Sequence, residues 1–404
     1  MSYLKYAFAF FCFLTFGVQA KVHLTEQIDN TEVFDVYWAG FAFLGKNSER
    51  LTRYPISDLI SQEKSNGLSI INRSFIDLFK KINGKNPNLN IKPGLSTDPG
   101  MISMAVGLSY EDVYPIKYGD QYKTSYVLVL NIILFNFEEK KILTVYPFRA
   151  LYNDATSEIP SENKQKQVIT DLYTGKILFS DAATKTKSSM LDLIAEKINS
   201  MKIRKAYRGY MGVRSVNIKD VVKEKIPEAL LNNDVVKTQI AQEFEGYLSK
   251  NAFVPIVPYS GSGGGEAIAK NMTARFADRS IQLKLPEIDF PVDIDIRKFL
   301  KKVPKKAKEF LNYKSIITVR ASSPMKEDYV NIKLSRNMFN LKKVSGDGSI
   351  EHDWSLYQLS LSKLLNAFTE QLAESTPKWT KKHSVSKDAK QQMENLRELI
   401  RKSQ

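Results

Sequence analysis

Apolar residues along this chain fall into two rhythms, one of helices and one of strands. Helical spacing links Ile71, Phe75, Leu78, Phe79 and Ile82, then Leu191, Ile194, Ile198 and Met201, then Val236, Ile240, Phe244 and Leu248. Ile268, Met272 and Phe276 predict a further helix, and Tyr357, Leu361, Leu364, Leu365, Phe368 and Leu372 give the longest stripe. Such a stripe turns toward a core. Strict alternation marks the strands. Val330, Ile332 and Leu334 alternate with polar neighbours, as do Phe290, Val292, Ile294 and Ile296, the signature of a half-buried antiparallel strand. The run Tyr126–Phe137 is apolar at both parities and predicts a central strand. With 142–152 across the charged turn Glu138-Glu139-Lys140-Lys141 it makes a long hairpin.

The two halves share an order of elements. The first reads strand 34–43, helix 69–82, strand 101–110, hairpin 125–152, helix 188–203. The second reads strand 252–259, helix 265–279, strand 281–296, strands 315–321 and 328–344, helix 355–374. This predicts an α+β fold of two domains of similar topology, 21–203 and 235–374, each a mostly antiparallel sheet with packed helices. A basic and aromatic linker, 204–234, joins them. A charged tail, 375–404, reads as an exposed extension whose Met393, Leu396 and Ile400 could dock on a partner.

The N-terminus changes the expected compartment. Lys5 precedes an apolar run from Tyr6 to Val18, and Val18-Gln19-Ala20 suits signal-peptidase cleavage. The run is shorter than the roughly 20 residues of a spanning helix. Residues 1–20 therefore read as a cleavable signal peptide. Ala9-Phe10-Phe11 lacks the small residue that would precede a lipidated Cys12. Cleavage removes the only cysteine, leaving a chain without disulfide or thiolate chemistry. A cysteine-free exported protein of this size suits a Gram-negative periplasm better than a disulfide-rich secreted setting.

Charge narrows the partners. The sequence carries a net charge of +15, which favours anionic partners. In an exported protein these are lipid headgroups and acidic envelope polymers, not nucleic acid. The densest basic stretch runs from Arg297 to Lys308 and contains Arg297, Lys298, Lys301, Lys302, Lys305, Lys306 and Lys308. Phe299, Leu300 and Val303 lie among them, a mixture suited to a headgroup layer. A second basic stretch holds Arg204, Lys205 and Arg208 beside Tyr207 and Tyr210.

Enzymatic motifs are incomplete. Ser260-Gly261-Ser262-Gly263-Gly264-Gly265-Glu266 could form a phosphate cradle, but it lacks the lysine and hydroxyl of Walker spacing. As a nucleophile elbow, Ser262 has Ser260 where glycine is wanted, and Pro255 and Pro258 in the preceding strand suit a sheet margin rather than a central strand. The serine-hydrolase alternative would use Ser262 and His352. Asp293 and Asp295 share one strand parity and read as a solvated face. Asp353 reads as a helix N-cap. His23, His352 and His383 are scattered, so neither a metal nor another cofactor is expected. The expected function is a non-enzymatic periplasmic protein binding an anionic envelope component or an envelope assembly, with peripheral membrane contact. A structural subunit of an envelope machine is the further alternative.

Overall fold

The computed structural model describes residues 32–45, 53–94, 100–118, 120–180, 187–204, 207–231, 235–259, 271–306, 308–341, 350–373, 379 and 382–403. The signal segment 1–20 and the glycine-rich stretch 260–266, with Ser262, lie outside them. The strands are β1 (Phe34–Leu44), β2 (Lys64–Ser65), β3 (Leu68–Ser69), β4 (Leu89–Pro93), β5 (Ile102–Tyr118), β6 (Gln121–Asn136) and β7 (Lys141–Thr156). They continue with β8 (Leu178–Ser180), β9 (Lys187–Ser189), β10 (Met211–Ile218), β11 (Asn271–Arg275), β12 (Ser280–Lys284), β13 (Phe290–Lys302), β14 (Phe310–Ser323) and β15 (Lys326–Leu341). Helices are α1 (Pro55–Gln62), α2 (Ile70–Ile82), α3 (Glu162–Tyr173), α4 (Met190–Asn199), α5 (Asp220–Lys223), α6 (Glu228–Leu231), α7 (Val235–Ala252), α8 (Ile350–Ala373) and α9 (Ala389–Ser403).

Helix starts follow capping chemistry. Ser69 accepts from the Asn72 amide ahead of α2, and Ser189 and Asp192 form a reciprocal capping box ahead of α4. These helices and α3 bury their stripes against one face of the larger sheet, with Phe75, Ile169 and Ile194 fully enclosed. Residues 126–136 of that run form most of β6, buried on both faces between β5 and β7.

Two sheets organise the protein, and helices with mixed sheets make it α+β. The larger has the order β11-β12-β7-β6-β5-β1-β4, and β11 also pairs with β1. That extra pairing closes the sheet on itself. Leu44, Ala105, Phe135, Val145, Ala274 and Leu283 cluster within the closure. The smaller sheet has the order β10-β13-β14-β15. It repeats β1-β5-β6-β7, since the first pair is parallel and the next two antiparallel in both.

Several expectations are corrected. Residues 271–275, expected in a helix over 265–279, are strand β11. The expected strand 281–296 is two strands in different sheets, β12 and β13. The stretch 204–234 contains β10, an edge of the smaller sheet. The expected strand 252–259 is one bridge residue: Ile256 pairs with Val145 of β7 and with Met211 of β10. This segment is buried where the sheets meet, not at a margin. Gly212 permits its approach, because a Cβ there would lie 2.8 Å from the Val257 carbonyl oxygen.

The tail is not an exposed extension. Helix α9 buries Met393, Leu396, Leu399 and Ile400 in the core of the smaller sheet. The chain before it covers the free edge of β15. The Val385 amide donates to the Lys333 carbonyl at 2.8 Å, and the Lys333 amide donates to Ser386 Oγ at 2.9 Å. Gln392 Oε1 accepts from the Asn331 amide at 2.8 Å. An edge strand left open would template pairing with another chain.

Candidate functional site

The basic stretch from Arg297 to Lys308 occupies the end of β13 and its connection to β14. A register shift between Ile296 and Lys298 interrupts the alternation of β13. Phe299 packs beneath α8, stacked on Tyr357 at 4.7 Å between ring centroids. Lys298 and Lys302 have the opposite parity, on the sheet face away from that helix.

The seven cations therefore divide by environment. Lys301 Nζ lies 2.8 Å from both carboxylate oxygens of Asp353. Tyr313 OH donates to the same carboxylate at 2.7 Å. Asp353 is thus inside the first turn of α8, not its N-cap. It ties the helix to β13 and β14 while its charge favours the helix N-terminus. Asp353→Ala is expected to cost about 1–2 kcal/mol in denaturant unfolding, because it removes an acceptor from the buried Tyr313 hydroxyl. An unchanged midpoint would show that the pair is idle.

Arg297 is committed to the sheet as well. Its Nε donates to Thr318 Oγ1 at 3.1 Å and its guanidinium faces Asp295 at 3.5 Å. Lys298, Lys302, Lys305, Lys306 and Lys308 are exposed, and none forms a carboxylate ion pair with another described residue.

Beside them, Asp293 and Asp295 are each only 5% exposed, which corrects the expectation of a solvated pair. Arg214 and Ser215 donate to Asp293, while Arg320 and Asn217 donate to Asp295. Burial pushes the Asp293 carboxyl up, but the bonds from Arg214 and Ser215 and the nearby arginine charges outweigh it, leaving it below the usual carboxylate range. With their oxygens occupied by arginines and polar side chains, these carboxylates serve as internal counter-ions of a cationic sheet face. Among the described residues no three His, Cys, Asp or Glu side chains come together as a metal site.

The second basic stretch is less coherent. Arg208 is exposed, Arg204 is partly buried, and Lys205 lies outside the described residues. Tyr207 and Tyr210 pack edge to face at 5.9 Å. Ser262 and the side chain of His352 also lie outside the described residues, although position 352 falls within α8.

A further cationic locus escapes any reading of local sequence. Lys123, Arg149, Lys197 and Lys250 line one cleft between the larger sheet and helices α7 and α8. They come from β6, β7, α4 and α7, so no charge run announces them.

Among the described residues no helix is long and apolar enough to cross a membrane. Compared with protein-family models and with curated proteins, the chain matches none. A solved structure of a neuraminyllactose-binding hemagglutinin homolog from Helicobacter pylori resembles it loosely, with 8% identity over 36% of this chain and 81% of that one. At a TM-score of 0.20 the likeness defines neither fold nor activity for this protein.

Proposed function

We propose that this chain is an exported, non-catalytic protein that binds an anionic component of the cell envelope through the β13–β14 connection. One observation carries the reading: Lys298, Lys302, Lys305, Lys306 and Lys308 are exposed and unmatched by carboxylates among the described residues. Export rests on the N-terminal signal pattern, and the overall charge of +15 has the same sign as the site. Half-exposed Val303, at 48%, offers an apolar contact among the lysines. The repeated strand order further supports a protein built of two related α+β units, the second presenting the lysines.

The test is co-sedimentation with phosphatidylglycerol vesicles and with phosphatidylcholine vesicles over a salt series. Each lysine near an anionic surface contributes about 1 kcal/mol. Changing all five to glutamine is therefore expected to weaken binding to the anionic vesicles by roughly a thousandfold or more. Binding of the unchanged protein should fall steeply with salt, since exposed charges are screened within about 10 Å at 0.1 M. Equal binding to both vesicle types, or no effect of the five substitutions, would overturn the proposal.

A further inference from the structure

The cleft between the larger sheet and helices α7 and α8 has a volume of about 490 Å³, within the range of roughly 300–1,000 Å³ common to small-molecule sites. Its walls supply four cations, Lys123, Arg149, Lys197 and Lys250, against one carboxylate, Glu243. That carboxylate is already engaged. It accepts from Ser362 Oγ at 2.6 Å and from Tyr247 OH at 3.2 Å.

The cations are much less satisfied. Arg149 meets Glu243 only at 3.8 Å, beyond hydrogen-bond reach, and its Nε has no partner among the described residues. Lys197 donates to the Pro147 carbonyl at 3.0 Å, a neutral acceptor. Lys123 and Lys250 form no ion pair with another described residue. An ammonium withdrawn from water without a counter-charge is costly, and an anion entering the cleft would relieve that cost. Val129, Phe148 and Leu359 also line the space, so the cleft offers apolar surface as well as charge.

We propose that this cleft is a binding site for a small organic anion, a carboxylate or phosphate ester carried on a partly apolar body. The site is separate from the lysines of the β13–β14 connection and does not depend on them. Titration of the lysines agrees with the geometry. Burial, together with the charge of Lys250, pushes Lys197 down to about 8, and burial pushes Lys123 down as well.

A lysine in this state is also a better nucleophile toward aldehydes, which gives a direct test. The whole protein is treated with pyridoxal 5′-phosphate as the probe, reduced with borohydride, and mapped by mass spectrometry. Pyridoxal, which lacks the phosphate, serves as the control. Lys197 or Lys123 is expected to be labelled at least about tenfold faster than exposed lysines such as Lys305. The preference should shrink with pyridoxal and be suppressed by excess inorganic phosphate. Arg149→Gln should reduce it several-fold. Lys250→Gln, at the exposed rim, does the same test without disturbing the Glu243 pair. The five-lysine variant of the β13–β14 connection should keep it, which separates failure here from failure of the envelope reading. Labelling spread evenly over surface lysines, or equal labelling by both aldehydes, would overturn the proposal.

Discussion

Replacing Leu396 and Ile400 together by alanine is expected to lower the stability by about 4–7 kcal/mol. Both side chains are at most 1% exposed, one turn apart on the inner face of α9. Each truncation of a buried Leu or Ile costs about 2–5 kcal/mol through lost transfer free energy and the cavity left behind. Neighbours one turn apart share surroundings, so the sum is trimmed. Against a total stability of roughly 5–15 kcal/mol, the double variant would be largely unfolded under mild denaturant. Lys390→Ala, at an exposed position of the same helix, should leave the midpoint within about 0.5 kcal/mol. Equilibrium urea unfolding reads both. A detachable tail would instead leave the midpoint of the double variant unchanged.

That helix also shows what the amino-acid pattern could and could not convey. Met393, Leu396 and Ile400 are plainly helical in spacing, yet nothing local says whether such a face meets a partner or the same chain. The answer lies in β15, whose outward Asn331 and Lys333 amides are satisfied by Gln392 and Ser386. Position 272 failed for a different reason. Ile268, Met272 and Phe276 lie four residues apart, a spacing close to one helical turn and equal to two strand repeats. It therefore fits both periods, and pairing with β12 and β1 decides for the strand. Strand β10 was hidden by its bulge. The shift between Val213 and Ser215 places buried Val216 three residues after buried Val213, which breaks the alternation a strand would show.

The basic stretch was legible as a cluster because its lysines are adjacent in sequence. Its internal division was not. Lys301 and Lys302 differ only in strand parity, and one is paired to Asp353 while the other is exposed without such a pair. The cleft cations were invisible altogether, since Lys123 and Lys250 come to line one cleft only after the larger sheet and helix α7 are packed together.

The stability of the protein is expected to fall as pH rises from about 4.5 to about 8, by several kcal/mol in all. Two enclosed glutamates are responsible. Glu245 of α7, 1% exposed, accepts from the Val213 amide at 3.0 Å and from the Tyr259 amide at 3.1 Å. Glu111 of β5, 3% exposed, accepts from the Ile56 and Ser57 amides at 2.7 and 2.9 Å. Burial pushes Glu245 up to about 8 and Glu111 up to about 7, against the downward pull of those amides. In both the folded value lies above the unfolded value of 4.5. Between the two values the native state holds protons that the unfolded chain has released, so raising the pH favours unfolding. The contribution is fully present below about 4.5 and gone above about 8. Glu245→Gln removes the titration and should flatten the upper part of the curve, at a lower stability throughout, because its Nε2 cannot accept from one of the two amides. Glu245→Ala instead takes the acceptor from the buried Val213 amide and from the half-buried Tyr259 amide, and should cost about 1–3 kcal/mol or more at low pH. Urea midpoints of the three proteins between pH 4.5 and 8.5 decide the matter. A stability that rises with pH would mean that the paired amides hold both carboxylates ionised and outweigh their burial.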